Sequence, residues 1–359
     1  MRNQARPMSH KSTSLISQAQ AIRDAIALAM EKDNKVFLTG EGVTDPRGIF
    51  GTTLDLVERF GKERVFDAPL SENCMAGVCI GSALAGMKPI LVFSRIEFAL
   101  LAMDQLVNNA ARWSSLFGAG HTIPLVVRII FGRGYGIDPN HSRDLQSILA
   151  QIPGLKTVVP TSAVDAKGLL LAAIEDTNPV VFLEHRYLHD SIDDVADAYY
   201  TLPLHDTEVV AEGRDVSVAA YSYSVFAAAK AAEVLKRHGI ELEVFNMRSA
   251  NPVNVERLSE SVKKTGRLIV ADTNIHFHGI AAQIVTKVIE QCFLYLSCAP
   301  LIIDASEDKV DPLFGTQITN EAISIAQAAV KLTHADQSNK VNMAHVIQEI
   351  RNDVEVMNN

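Results

Sequence analysis

Cysteine is scarce: 359 residues hold four, and Cys74, Cys79, Cys292 and Cys298 lack metal-ligand spacing. That leaves core thiols in a reducing compartment rather than a disulfide scaffold or zinc module. Cationic excess is absent too. With 33 Lys and Arg against 42 Asp and Glu, the net charge is −9, and no surface for nucleic acid is expected. No apolar run reaches the ~20 residues of a membrane-spanning helix. The glycine-rich run Phe131-Gly-Arg-Gly-Tyr-Gly136 lacks the Lys and Ser/Thr of a phosphate loop, and the following helix and acid of a dinucleotide fingerprint. It reads as backbone freedom for the loop that follows. What remains, 48% hydrophobic and 21% charged, is the composition of a soluble globular protein long enough for two domains.

Strand-like and helical runs alternate almost without interruption. Strands are expected near 35–39, 65–68, 90–93, 125–130, 157–159 and 180–184, with helices over 52–60, 73–87, 97–117, 144–151 and 164–175. Such alternation specifies a mainly parallel sheet covered by helices on both faces. An acidic stretch without period, 190–204, reads as a linker. The alternation then resumes through strands at 216–221, 242–247, 268–271 and 301–304, with helices at 224–238, 255–265, 280–296 and 319–332. The expected organisation is a leader over 1–20, a first α/β domain over 21–190 and a linker over 191–205. A second α/β domain covers 206–334 and a polar tail 335–359, with a helix over 343–354 in which nothing looks chemical. The leader is basic and lacks acids. The expected compartment is cytoplasmic, or the mitochondrial matrix if that leader is the remnant of a targeting peptide.

The most informative residue is Glu72, in Val65-Phe-Asp-Ala-Pro-Leu-Ser-Glu72-Asn-Cys-Met-Ala-Gly77. An apolar run ends in a Pro, Ser71 offers an N-cap, and a carboxylate stands at the mouth of a helix so apolar that burial on most sides is expected. Gly77 and Gly81, one turn apart, would let another backbone approach. A carboxylate there can hydrogen-bond a heterocycle and assist its proton transfers. It can also simply complement the helix dipole.

The wider pattern favours the first reading. Thr39-Gly-Glu41-Gly-Val43, Arg64-Val-Phe-Asp-Ala-Pro-Leu-Ser-Glu72, Asp104-Gln-Leu-Val-Asn-Asn-Ala-Ala-Arg112, His141-Ser142, Asp176-Thr-Asn-Pro-Val180 and Lys263-Lys-Thr-Gly-Arg267 occur in order and at family spacing. The chain resembles the β subunit of the thiamine-diphosphate-dependent decarboxylating component of 2-oxo acid dehydrogenase complexes. That resemblance implies a transketolase-type pyrimidine-binding domain followed by a transketolase-type C-terminal domain. It implies that Glu72 hydrogen-bonds a pyrimidine ring nitrogen of the cofactor, favouring the imino tautomer that takes the thiazolium proton. Phe98 would pack on the pyrimidine face, with core packing as the competing reading. His141 would face substrate, and Glu41 would relay protons between paired sites. Asp176 and Asn178 match a potassium-binding loop, although Asp-x-Asn before Pro is also ordinary turn chemistry.

The magnesium-binding Gly-Asp-Gly module for the diphosphate is missing, and in the resembling family it lies on a separate α chain. The resemblance therefore implies an α subunit that holds magnesium and the diphosphate, an assembly of two α and two β chains, and a lipoyl-bearing acyltransferase as acceptor. Arg95 and Arg143 depart from the family pattern. They either select a more anionic substrate or pair with Glu97 and Asp144. Two other functions stay open. One is half of a split transketolase-like enzyme with an aldehyde or sugar acceptor; the other is a non-catalytic scaffold.

Overall fold

The computed structural model describes residues 12–132, 141, 143–273, 278–304, 314–333 and 341–357. The first half runs β1 (Thr13–Ser17), α1 (Gln18–Lys32), β2 (Val36–Gly40), α2 (Gly48–Gly51), α3 (Leu56–Phe60), β3 (Val65–Asp67), α4 (Glu72–Leu84) and β4 (Lys88–Phe93). It continues through α5 (Ile96–Ala99), α6 (Trp113–Phe117), β5 (Val126–Phe131), α7 (Gln146–Ala150), β6 (Lys156–Val158), α8 (Ala163–Glu175) and β7 (Val180–His185). Strands β2, β4, β5 and β7 are buried along their whole length, except for the first residue of β4. Continuous apolar runs of this kind suit parallel strands covered on both faces. The sheet order is β6-β7-β5-β4-β2-β3, all parallel.

The second half holds β8 (Ile192–Ala196), β9 (Glu208–Ala211), β10 (Val216–Ala220), α9 (Tyr223–Arg237), β11 (Leu242–Asn246), β12 (Ser249–Asn251) and α10 (Glu256–Thr265). Then follow β13 (Leu268–Asp272), α11 (Ile280–Cys292), β14 (Leu301–Asp304), α12 (Phe314–Leu332) and α13 (Met343–Met357). Its sheet, β14-β13-β10-β11-β9, is parallel except for β9. Two α/β layers with mainly parallel sheets are what the alternation specified.

The halves are locked together. Strand β12, which follows β11 of the second half, adds antiparallel to β6 and so extends the first sheet. Arg248, just ahead of it, holds Asp165 at 2.7 Å and Glu208 at 2.8 Å, and Gln146 donates to Thr273 at 2.7 Å. One apolar cluster runs through both halves, joining Phe93, Ile129 and Phe131 to Tyr221, Phe245 and Val270.

Several segments differ from the sequence expectation. Residues 13–17, read as leader, form β1 and pair antiparallel with β8, inside the stretch read as linker. The linker is fixed by a buried lysine: Lys167 Nζ donates to the carbonyls of Ala196 (2.6 Å) and Asp197 (3.0 Å). Gly168 beside it leaves room for Tyr200 and Leu202, which a Cβ would strike. The helix expected over 97–117 is instead α5, a 3₁₀ turn at Leu100–Ala102, a π-turn at Gln105–Ala110 and α6. Its buried residues come three apart (Ile96, Ala99, Ala102) and then four apart (Ala102, Leu106, Ala110). The chain tightens and then widens to keep all of them on the sheet. Helix α4 buries one face, through Met75, Ala76, Cys79, Ile80 and Ala83, while Cys74, Val78 and Leu84 are exposed. Burial on most sides therefore does not occur within this chain.

Candidate functional site

Four sequence-derived candidates stand at the carboxyl ends of four neighbouring parallel strands. Glu41 follows β2, Glu72 opens α4 after β3, Phe98 lies in α5 after β4, and His141 follows β5. The connection after β2 leads to β3, and the one after β4 leads the opposite way to β5. The crevice beyond the ends of such diverging strands is where open α/β sheets bind ligands. Thr44 fastens the β2 loop to the end of β3, its N–H (3.1 Å) and hydroxyl (2.6 Å) both donating to Asp67.

That fastening brings two carboxyls together. Glu41 lies within hydrogen-bonding reach of Glu72, and its pKa is raised, first by burial and then by the Glu72 charge. Glu41 Oε1 is buried with no hydrogen-bond donor among the described residues. Burial and the adjacent Glu72 charge thus both favour a proton on Glu41. Ser71 sits at the cap of α4, yet its hydroxyl makes no cap bond, so Glu72 is the polar group at that helix mouth. Across from it, Gln105 of the π-turn approaches Asn73 (3.3 Å) and lies 3.4 Å from where a Cβ on Gly77 would be. Gly77 thus admits a side chain rather than a backbone, and Gly81 has open space.

On the other side of the crevice, the Phe98 ring meets His141 edge-on, with centroids 5.6 Å apart and planes at 86°. Next to Phe98, both Glu97 oxygens are buried without a well-formed hydrogen bond. Burial raises the Glu97 pKa, opposed by its own N–H, that of Arg143 and the Arg143 and Arg95 charges. Arg95 also lies 5.1 Å from the centre of the Phe50 ring, with Arg186 at 4.5 Å. Both departures from the family pattern thus lie close enough to Glu97 for their charges to favour its carboxylate. Residues 133–140 and Ser142, including most of the glycine-rich run, lie outside the described residues.

Asp176 and Asn178 are elsewhere. They precede β7, at the amino edge of the sheet. One Asp176 oxygen pairs with Lys156, and the other accepts the Asn178 N–H at 2.9 Å.

Sequence reasoning missed what lies beneath the crevice. Arg128 of β5 and Glu184 of β7 form a two-bond ion pair (2.6 and 2.8 Å) with no exposure, and His189 reaches Glu184 at 3.2 Å. Burial works against the Glu184 carboxylate, but the Arg128 and His189 interactions together hold its pKa below the ordinary value. His185, also fully buried, packs on Phe131 (5.0 Å) and on Tyr223 (4.8 Å) of the second half. Burial drives its pKa down to about 3. The one available signal was charged residues inside apolar strands.

Comparison with known proteins adds the following. Residues 15–190 match the transketolase pyrimidine binding domain, and residues 205–313 match the transketolase C-terminal domain. The chain is 38% identical over 293 residues to the pyruvate dehydrogenase E1 component subunit beta of Rickettsia bellii, covering 82% of this chain and 90% of that one. It is 39% identical over 280 residues to the mitochondrial counterpart of Pisum sativum (77% and 78% covered). Against that of Saccharomyces cerevisiae it is 38% identical over 296 residues (81% and 80%). Among solved structures, an inactive β4 tetramer of a split-gene transketolase shares the fold, with a TM-score of 0.71 at 19% identity, over 89% of this chain and 99% of that one.

Proposed function

Because the chain belongs to the pyruvate dehydrogenase E1 β-subunit family, built on transketolase pyrimidine-binding and C-terminal domains, we propose that the crevice at the ends of β2–β5 is the aminopyrimidine half of a thiamine diphosphate site. The protein is the β chain of a 2-oxo acid decarboxylating dehydrogenase of the pyruvate dehydrogenase type. The observation that carries the site assignment is the meeting of Glu41 and Glu72 beside Phe98 and His141.

The residues fit the group. A basic ring nitrogen needs a carboxyl that can donate or accept a proton, and Glu72, next to Glu41, can pass one without leaving two adjacent charges. Phe98 offers a flat apolar face for an aromatic ring. When bound, thiamine diphosphate supplies the carbanion that attacks the 2-oxo acid and accepts the electrons left as carbon dioxide departs. The protein's part is orientation and proton control. Glu72 holds the ring and sets its tautomer, and Glu41, with its raised pKa, takes up or returns a proton. His141, edge-on to Phe98, is placed to donate a hydrogen bond to the oxygen of the reacting carbonyl.

The diphosphate half has no module here. The sequence carries no Gly-Asp-Gly run to hold magnesium, so a partner α chain would hold that end. Leu70, Val78, Leu84, Leu100, Leu101, Leu116 and Phe117 are exposed on or beside α4 and the broken 96–117 segment. We place the partner on this apolar surface next to the site, in an assembly of two α and two β chains, with a lipoyl-bearing acyltransferase as acceptor. A potassium ion at Asp176 and Asn178 would have to share the carboxylate with Lys156. The split-transketolase reading has support at the level of fold alone.

The test is reconstitution with an α chain of the same family, thiamine diphosphate and magnesium. Oxo acid decarboxylation should require both chains, and Glu72→Gln should assemble normally yet lose about 10²–10⁴-fold in rate, the usual range for acid–base assistance. Turnover by this chain alone would overturn the need for a partner, and a Glu72→Gln enzyme within about threefold of the parent would return Glu72 to a helix-dipole role.

A further inference from the structure

Far from the crevice, the tail helix α13 carries His345 and Glu349 one turn apart, on the side that meets α9. His238, which closes α9, faces them. Glu349 Oε1 lies 3.2 Å from His238 Nε2 and 3.4 Å from His345 Nε2. The two imidazoles stand at 90° with centroids 5.5 Å apart, and all three ligand atoms fall within 4.8 Å of one another. We propose that His238, His345 and Glu349 bind a divalent ion of the zinc class, which clamps α13 onto the second domain.

The geometry and the donor set both support this. Around a tetrahedral zinc ion, ligand atoms about 2.0–2.2 Å from the metal stand about 3.3 Å apart, and both nitrogen–oxygen spacings are already close to that. A small rotation of the exposed His345 ring closes the remaining nitrogen–nitrogen gap. Two imidazoles with one carboxylate select zinc, cobalt, nickel or copper over magnesium and calcium, which prefer oxygen. The carboxylate is held in place from behind: Arg237 takes Glu349 Oε2 at 2.9 Å and Asp353 at 2.9 Å. That leaves Oε1 turned to the imidazoles. Such outer contacts orient metal ligands in many sites. Val346 and Ile350, fully buried against the second domain's core, fix the helix independently of any ion. The fourth position opens to water beside His345. The helix lies beyond residue 313, where the matched C-terminal domain ends.

The experiment uses the full-length, untagged chain, stripped with chelator and titrated calorimetrically with zinc and then with magnesium. The parent should bind one zinc equivalent that His345→Gln and Glu349→Gln each weaken at least 10-fold, in line with the 10–100-fold effects of disturbing metal shells. Magnesium should not compete. Backbone amides of α13 should exchange hydrogen about 100-fold more slowly at zinc concentrations 100 times the dissociation constant, and His345→Gln should abolish that slowing. His345 is well exposed, so its replacement leaves the fold intact and the comparison clean. Equal zinc binding by parent and both variants, or unchanged α13 exchange on adding zinc, would overturn the proposal.

Discussion

Replacing His185 by Leu should flatten the acid side of the stability curve. His185 is fully buried at the end of β7, between Phe131 of β5 and Tyr223 of α9. Burial lowers its pKa from 6.5 to about 3. The folded state therefore stays unprotonated there while the unfolded chain takes up a proton. A depressed folded pKa gives stability that is complete above pH 6.5 and drains away as pH falls toward 3. Worked through the linkage relation, one such group removes about 2 kcal/mol between pH 7.5 and pH 5, at 1.36 kcal/mol per pKa unit. Urea unfolding of the chain at pH 7.5, 6 and 5 reads this directly. The parent should lose about 2 kcal/mol more than His185→Leu over that interval, whatever the two differ by at pH 7.5. His189 shifts in the same direction through burial and stays in both proteins, so the difference reports His185 together with its electrostatic interaction with His189. Equal losses, within about 0.5 kcal/mol, would refute the buried neutral imidazole.

Glu184→Gln should cost about 3–5 kcal/mol, because it leaves the Arg128 charge buried without its counter-ion; thermal unfolding of parent and variant measures it. Arg128→Met with Glu184→Leu should recover most of that loss, since hydrophobic replacement of a whole buried pair is often neutral. Glu41→Gln should stabilise the chain at neutral pH by up to about 1 kcal/mol after solvent screening. The raised Glu41 pKa makes its contribution favourable at low pH and lost as pH rises through the folded value, so the gain should vanish in acid unfolding curves. His141→Ala should leave thiamine diphosphate affinity of the assembled enzyme near normal while slowing decarboxylation or acyl transfer, as single-turnover kinetics would show.

The α/β alternation was legible because burial on both faces of a parallel sheet forces apolar runs such as Val126–Phe131 and Val180–His185. Glu72 was legible from its local setting at a helix mouth, and Glu41, Phe98 and His141 through the family resemblance; the structure adds that all four follow strands whose ends share one edge of the sheet. The broken 97–117 helix was not, since its change of spacing is visible only once the sheet shows which residues must face it. The α9–α13 histidine cluster was hidden for a related reason. His238 and His345 lie over 100 residues apart, and no local pattern joins them.

By itself, then, the sequence determined the α/β alternation and the family, through local periodicity and motif spacing, and the family resemblance supplied the candidate site residues. The tertiary structure alone decided that Glu41 touches Glu72, that Phe98 meets His141, that β12 joins the first sheet and that Lys156 occupies Asp176. These depend on strand order and on which side chains share a low-dielectric space, and neither is encoded at any fixed separation along the chain.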